Sequence, residues 1–121
     1  MVKDCVFCQK KPKEYLVENE FSAAFFDFAP VTQGHTLVIP KRHVEQIWEL
    51  SPEERQSLWE LIEQVKQYLD QHYQPGGYNL GVNAGAVAGQ SVMHCHIHVI
   101  PRYANNATVV PGVENLIPPA H

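Results

Sequence analysis

Three histidines alternate with apolar residues along His94-Cys95-His96-Ile97-His98-Val99-Ile100. Imidazoles so spaced can donate or accept hydrogen bonds, attack an electrophile or bind a metal. A strand sends successive side chains to opposite faces, so His94, His96 and His98 are expected to project together, neighbours about 6–7 Å apart. Cys95, Ile97 and Val99 would then point the other way, into a core. The competing reading, incidental polar positions on a strand, fits poorly with three histidines in strict alternation.

Two further clusters carry chemistry. Residues 83–92, Asn-Ala-Gly-Ala-Val-Ala-Gly-Gln-Ser-Val, lead directly into the histidine strand. Gly85 and Gly89 allow backbone N–H groups to approach an anion closely, and Gln90 and Ser91 add side-chain donors, so a phosphate cradle is expected here. The second cluster is Cys5-Val6-Phe7-Cys8. It has no companion C-x-x-C, so two more metal ligands would have to come from elsewhere, and His43 and His94 are the candidates.

The elements that must position these groups can be read in outline. Glu14–Glu18 and Phe21–Phe26 form a hairpin about Asn19-Glu20, and His35–Ile39 a third strand between Gly34 and Pro40. Ser51-Pro52-Glu53-Glu54 is a helix start: Ser51 caps, Pro52 suits the first position and Glu54 completes a capping box. Leu58, Ile62, Val65 and Leu69 form the stripe that docks on a sheet, widened by Trp59 and Leu61. Gln74-Pro75-Gly76-Gly77 ends the helix, Tyr78–Val82 is a fourth strand and Met93–Tyr103 a fifth. The fold class is α+β, an antiparallel five-stranded meander with one long helix packed on it. The whole of 1–121 reads as one domain, with 1–10 as a metal-binding N-terminal segment and 104–121 as an irregular tail.

Composition narrows the function classes. A chain of 121 residues, 45% hydrophobic, suits a single core without obligatory crosslinks. The formal net charge of −4 and the lack of a Lys/Arg block argue against nucleic acid as a partner. No apolar run suits a signal peptide or a membrane span, and the three cysteines make an odd count. A cytoplasmic location, with no membrane partner, is the expectation.

Residues 94–100 match, position by position, the His-φ-His-φ-His-φ-φ strand (φ apolar) of the histidine-triad (HIT) nucleotide hydrolases and transferases. Gln90-Ser91-Val92, Ala24-Phe25-Phe26-Asp27-Phe28-Ala29-Pro30 and Gly34-His35-Thr36-Leu37-Val38-Ile39-Pro40-Lys41 also resemble that family, over roughly residues 4–103. The resemblance implies that His96 is a nucleophile attacking an α-phosphate to form a nucleotidyl-histidine that water then hydrolyses. It implies that His98 contacts phosphate oxygens with Ser91 and the backbone near Gly89 and Gln90, and that Asn83 contacts phosphate. His35 would lie against the nucleophile and orient it, and Asp27 would accept the ribose hydroxyls. Without the resemblance, His35 would read as a core histidine and Asp27 as a turn residue.

Some microbial members of the family hold structural zinc with two cysteines and two histidines, and Cys5, Cys8, His43 and His94 look similar. The substrates implied are nucleoside phosphoramidates or dinucleoside polyphosphates, and the oligomer implied is a homodimer with a ten-stranded sheet. Trp48 and Trp59 are candidate interface contributors. Two rival functions are a nucleotide-binding sensor with little catalysis and a metal-dependent hydrolase using all three histidines. The second is disfavoured because the outer histidines of a nearly straight strand lie about 13 Å apart at Cα.

Overall fold

The structure, a computed structural model, describes residues 4–104. The tail expected over 104–121 therefore lies outside the described residues except for Ala104. Five strands form one antiparallel sheet: β1 (Val17–Glu18), β2 (Ser22–Phe26), β3 (Thr36–Pro40), β4 (Gly77–Gly81) and β5 (Ile97–Arg102). A 22-residue helix, α1 (Pro52–Tyr73), connects β3 to β4.

The order β1-β2-β3-β5-β4 departs from a simple meander, because β5 inserts between β3 and β4. β3 pairs with β5 through Thr36↔Val99, Leu37↔His98 and Val38↔Ile97. That ladder stops short of the full Met93–Tyr103 run. Pro40 has no N–H to donate, so pairing does not extend back toward Cys95, and His94 and His96 precede β5. The Cys95 N–H bonds instead to the Val44 carbonyl at 2.7 Å. β1 is likewise shorter than Glu14–Glu18, since Pro12–Glu14 forms a 3₁₀ turn.

Helix α1 begins as its cap requires. Ser51 Oγ accepts the Glu54 N–H at 3.1 Å, and Glu54 Oε1 accepts the Ser51 N–H at 2.9 Å. Gln74, in the left-handed region at φ 49°, ends it. Glu54 is also gripped by Arg42, whose Nε and Nη2 donate at 2.9 and 2.8 Å. This bidentate pairing pulls the Glu54 carboxyl down to about 2. Leu58, Leu61, Ile62, Val65 and Leu69 are buried, each contributing about 1.5–3 kcal/mol of burial free energy. Trp59 is not part of that stripe: it stands 53% exposed, beyond the edge of the face that meets the sheet.

The sheet separates two apolar clusters. Under α1 lie Ala24, Val38, Cys95, Ile97 and Val99 with the helix stripe. On the opposite face Ala23, Phe25, Leu37 and Ile39 pack with Cys5 and Phe7 from the N-terminal segment. Among the described residues no helix is long and apolar enough to cross a membrane.

Candidate functional site

The alternation expected of residues 94–99 holds although only part of it is regular strand. Cys95, Ile97 and Val99 enter the helix-side core, whereas the rings of His94 and His96 meet Phe7, of the other face. Burial pushes the Cys95 thiol up to about 12, as suits an inert core residue.

Each triad ring has a backbone or side-chain partner that decides which nitrogen carries its proton. His96 Nδ1 lies 2.7 Å from the carbonyl oxygen of His94. A carbonyl only accepts, so Nδ1 is the donor and the neutral ring keeps its lone pair on Nε2. That is the protonation a nucleophile needs, set by a bond two residues long. His94 donates from Nε2 to the Pro40 carbonyl at 2.8 Å, which leaves the Nδ1 lone pair for a ligand.

His98 is set from further away. The Val31 N–H donates to His35 Nδ1 at 3.1 Å, so His35 carries its proton on Nε2. His35 Nε2 lies 2.9 Å from His98 Nδ1 and donates to it, making His98 an Nε2–H donor. His35 thus abuts His98, the ring beside His96 on the triad. The rings of His96 and His98 are 5.2 Å apart, and all four of His35, His94, His96 and His98 are buried.

Asp27 is turned inward. Its Oδ1 accepts the Ala29 N–H at 2.9 Å, an Asx turn, and its Oδ2 lies 3.5 Å from His35 Nε2. The buried carboxylate therefore faces the His35–His98 pair. The loop before the triad is also self-bracing. Gly85 and Gly89 have φ of 98° and 104° about a 3₁₀ turn, Ala86–Ala88. The Gly89 and Gln90 N–H groups bond to the carbonyls of Ala86 and Gly85. Gln90 Nε2 donates to the Glu45 and Val92 carbonyls, and its Oε1 accepts the Gly85 N–H. Gly89 and Gln90 thus tie the loop together where a phosphate cradle was expected. Asn83 Nδ2 reaches the Gly89 carbonyl at 3.5 Å, and Ser91 is exposed.

The second cluster assembles as read. One ligand atom each from Cys5, Cys8, His43 and His94 lies within 4.8 Å of the others. His94 Nδ1 is 3.3 Å from Cys5 Sγ and 3.5 Å from Cys8 Sγ, and His43 Nδ1 is 3.2 Å from Cys8 Sγ. A tetrahedral zinc bound at its usual distances has S···N edges of about 3.5 Å, so the four groups fit that ion. Burial holds the His94 imidazole below its ordinary pKa, favouring the neutral form that a ligand requires. Burial pushes the Cys5 thiol up, offset in part by the Cys8 N–H, which donates to Cys5 Sγ at 3.3 Å. No group of potential ligands among the described residues contains all three triad histidines.

Sequence reading passed over Val31, Pro40 and Phe7. The first two act through backbone atoms, which no side-chain pattern reveals. Phe7 had a signal, an aromatic residue enclosed by the two cysteines.

Comparison with known proteins agrees with this geometry. The HIT domain profile matches residues 9–105. A Bacillus subtilis protein named hit is 38% identical over 105 residues, covering 84% of this chain and 72% of its own. An adenosine 5'-monophosphoramidase of Schizosaccharomyces pombe is 38% identical, with 81% and 74% covered. A bis(5'-adenosyl)-triphosphatase of Dictyostelium discoideum is 33% identical, with 86% and 72% covered. Among solved structures, a HIT family protein from Bacillus anthracis superposes with TM-score 0.80 at 36% identity, covering 95% and 86%. A zinc-bound histidine triad family protein from Mycobacterium smegmatis does so with TM-score 0.76 at 31% identity, covering 85% and 78%. Sequence, strand order and the disposition of the histidines converge, and the chain belongs to the HIT domain family.

Proposed function

We propose that this protein is a nucleotide hydrolase or transferase that cleaves nucleoside phosphoramidates or dinucleoside polyphosphates at the α-phosphate. The observation that carries the reading is the hydrogen bond from His96 Nδ1 to the His94 carbonyl, which commits the Nε2 lone pair to attack. Nε2 forms a bond to the α-phosphorus as the P–N or P–O bond to the leaving group breaks and the leaving group takes up a proton. Water then attacks the nucleotidyl-His96, releasing the nucleoside monophosphate and restoring the ring. His98, as an Nε2–H donor, suits the phosphoryl oxygens whose charge grows in the transition state, and the Ser91 hydroxyl is a second donor for them. Asn83, Gly89 and Gln90 shape the loop that bounds the phosphate site. The relatives named as a phosphoramidase and as a dinucleoside triphosphatase support both substrate classes.

Cys5, Cys8, His43 and His94 would hold zinc, which when bound crosslinks the N-terminal segment to the sheet. The zinc-bound relative supports this ion over others. The outer edge of β4, Gly-Tyr-Asn-Leu-Gly, carries neither charge nor proline, and Leu80 on it is exposed. Such an edge favours pairing with a second copy into a ten-stranded sheet, and Trp48 and Trp59 remain available to that contact. The setting is taken to be the cytoplasm, with a nucleotide and no nucleic acid or membrane as partner.

The test is rapid-quench mass spectrometry after mixing with adenosine phosphoramidate or diadenosine triphosphate. A nucleotide adduct on His96, absent in His96→Ala along with turnover, is expected. Turnover that survives in His96→Ala would sink the nucleophile and favour another use of the fold, such as nucleotide sensing.

A further inference from the structure

Beyond Pro40, where β3 ends, residues 43–45 take over as the backbone neighbour of the run into the triad. They offer two carbonyls in succession. Val44 O accepts the Cys95 N–H at 2.7 Å, and Glu45 O accepts Gln90 Nε2 at 2.7 Å. The same segment carries His43, whose Nδ1 lies 3.2 Å from Cys8 Sγ in the four-ligand cluster. What fixes His43 therefore also fixes the backbone on which the loop before the triad rests.

Gln90 is the link between the two. Its side chain is buried with both halves of the amide engaged. Nε2 donates to Glu45 and, at 3.0 Å, to the Val92 carbonyl, while Oε1 accepts the Gly85 N–H at 2.8 Å. The Gln90 N–H bonds in turn to the Gly85 carbonyl at 3.1 Å, so both polar backbone groups of Gly85 end on one residue. All these bonds run to backbone atoms. A buried amide that loses such a partner is left unsatisfied, which holds the loop to one position. Ser91, with its exposed hydroxyl, is the next residue.

We propose that Gln90 is a positioning residue that ties loop 83–91 to the segment bearing His43, so that zinc at the four-ligand cluster sets where the Ser91 hydroxyl stands. The inference rests on Ser91 serving the phosphate in the proposed reaction. Loss of the ion frees His43, residues 43–45 shift, and the loop goes with them. The β3–β5 ladder has its own pairing and stays in place.

Amide hydrogen exchange reads the tie without turnover. In zinc-loaded wild type the Gly85 amide should exchange slowly. Chelation should speed it roughly 10-fold or more, while the amides of the β3–β5 ladder keep their protection. An unchanged Gly85 rate, or a rise shared equally by the ladder, overturns the proposal.

Gln90→Glu separates the brace within the loop from the tie to the metal segment. A carboxylate still accepts the Gly85 N–H but has nothing to donate to Glu45. In zinc-loaded wild type, Ser91→Ala should lower kcat on adenosine phosphoramidate roughly 10-fold or more, as loss of a transition-state donor does. With Gln90→Glu already present, the same change should cost no more than about two-fold. Equal penalties in both backgrounds overturn the proposal, because a merely structural defect leaves the Ser91 penalty intact. If Gln90→Glu fails to fold, the exchange measurement decides. Failure of the underlying reading is distinguishable, because Ser91→Ala is then without effect in wild type or no nucleotidyl adduct forms on His96. Gly85 exchange decides the tie in either case.

Discussion

His35 Nε2 lies 2.9 Å from His98 Nδ1, and the Val31 amide decides which of the two is the donor. His98 is thereby kept as a neutral ring with an N–H for phosphate. His35→Ala removes that control, and a ring misplaced by about 1 Å costs on the order of 10² in rate. We expect kcat to fall by roughly that factor with a smaller change in KM, and His35→Gln, whose amide can still donate, to recover part of it. Wild-type kcat in His35→Ala would end this account of His98.

Protein purified without chelator should carry about one zinc per chain, as four well-placed ligands predict. Cys8→Ser should lower both the zinc content, read by elemental mass spectrometry, and the melting temperature. Stoichiometric zinc retained by Cys8→Ser would show that Cys8 is not a ligand.

The Arg42–Glu54 pair predicts an acid-dependent loss of stability. The folded carboxyl titrates at about 2, below the ordinary value near 4.3 expected when unfolded. A depressed pKa stabilises the fold above the unfolded value, and that stabilisation disappears as pH falls from about 4.3 toward about 2. Urea titrations across this window should show a smaller pH dependence for Glu54→Gln than for wild type. Parallel curves for the two would mean that the pair contributes nothing on acidification.

Gly34 leads into His35 at φ 91°, where a Cβ would meet Leu69 Cδ2 at 3.1 Å, Tyr73 Cδ2 at 3.2 Å and Pro101 Cγ at 3.3 Å. Gly34→Ala combines left-handed strain with crowding and should cost about 1–3 kcal/mol in chemical denaturation. Because His35 is the next residue, kcat should drop as well. A variant as stable as wild type would show that this turn relaxes freely.

Burial has raised the Cys95 thiol to about 12, so almost none of it is thiolate at neutral pH. Iodoacetamide at pH 8 should leave Cys95 unmodified in the native protein and alkylate it in urea. Rapid native labelling would reveal an opening of the strand beneath α1.

What was legible in the sequence is what local chemistry decides. Ser51, Pro52 and Glu54 mark the helix start without reference to anything distant, and the structure follows them. Period-two alternation likewise separates Cys95, Ile97 and Val99 from the histidines. The grouping of Cys5, Cys8, His43 and His94 was legible because cysteine and histidine are the residue types suited to a zinc site. Strand order was not, since the insertion of β5 beside β3 depends on pairing across more than fifty residues. Nor was the inward turn of Gln90 and Asp27, whose polar groups bind backbone at Glu45 and Ala29. Polar side chains in a loop look the same in sequence whether they face a ligand or their own main chain.

One face of the sheet is covered by twenty-two residues of helix, the other in part by a few residues around Phe7. So thin a roof cannot rely on its own hydrophobic area to stay shut. Removing it would bare Phe25, Leu37 and Ile39 to water. A version lacking the first eight residues should therefore clump rather than merely lose activity, because an uncovered apolar face invites self-association.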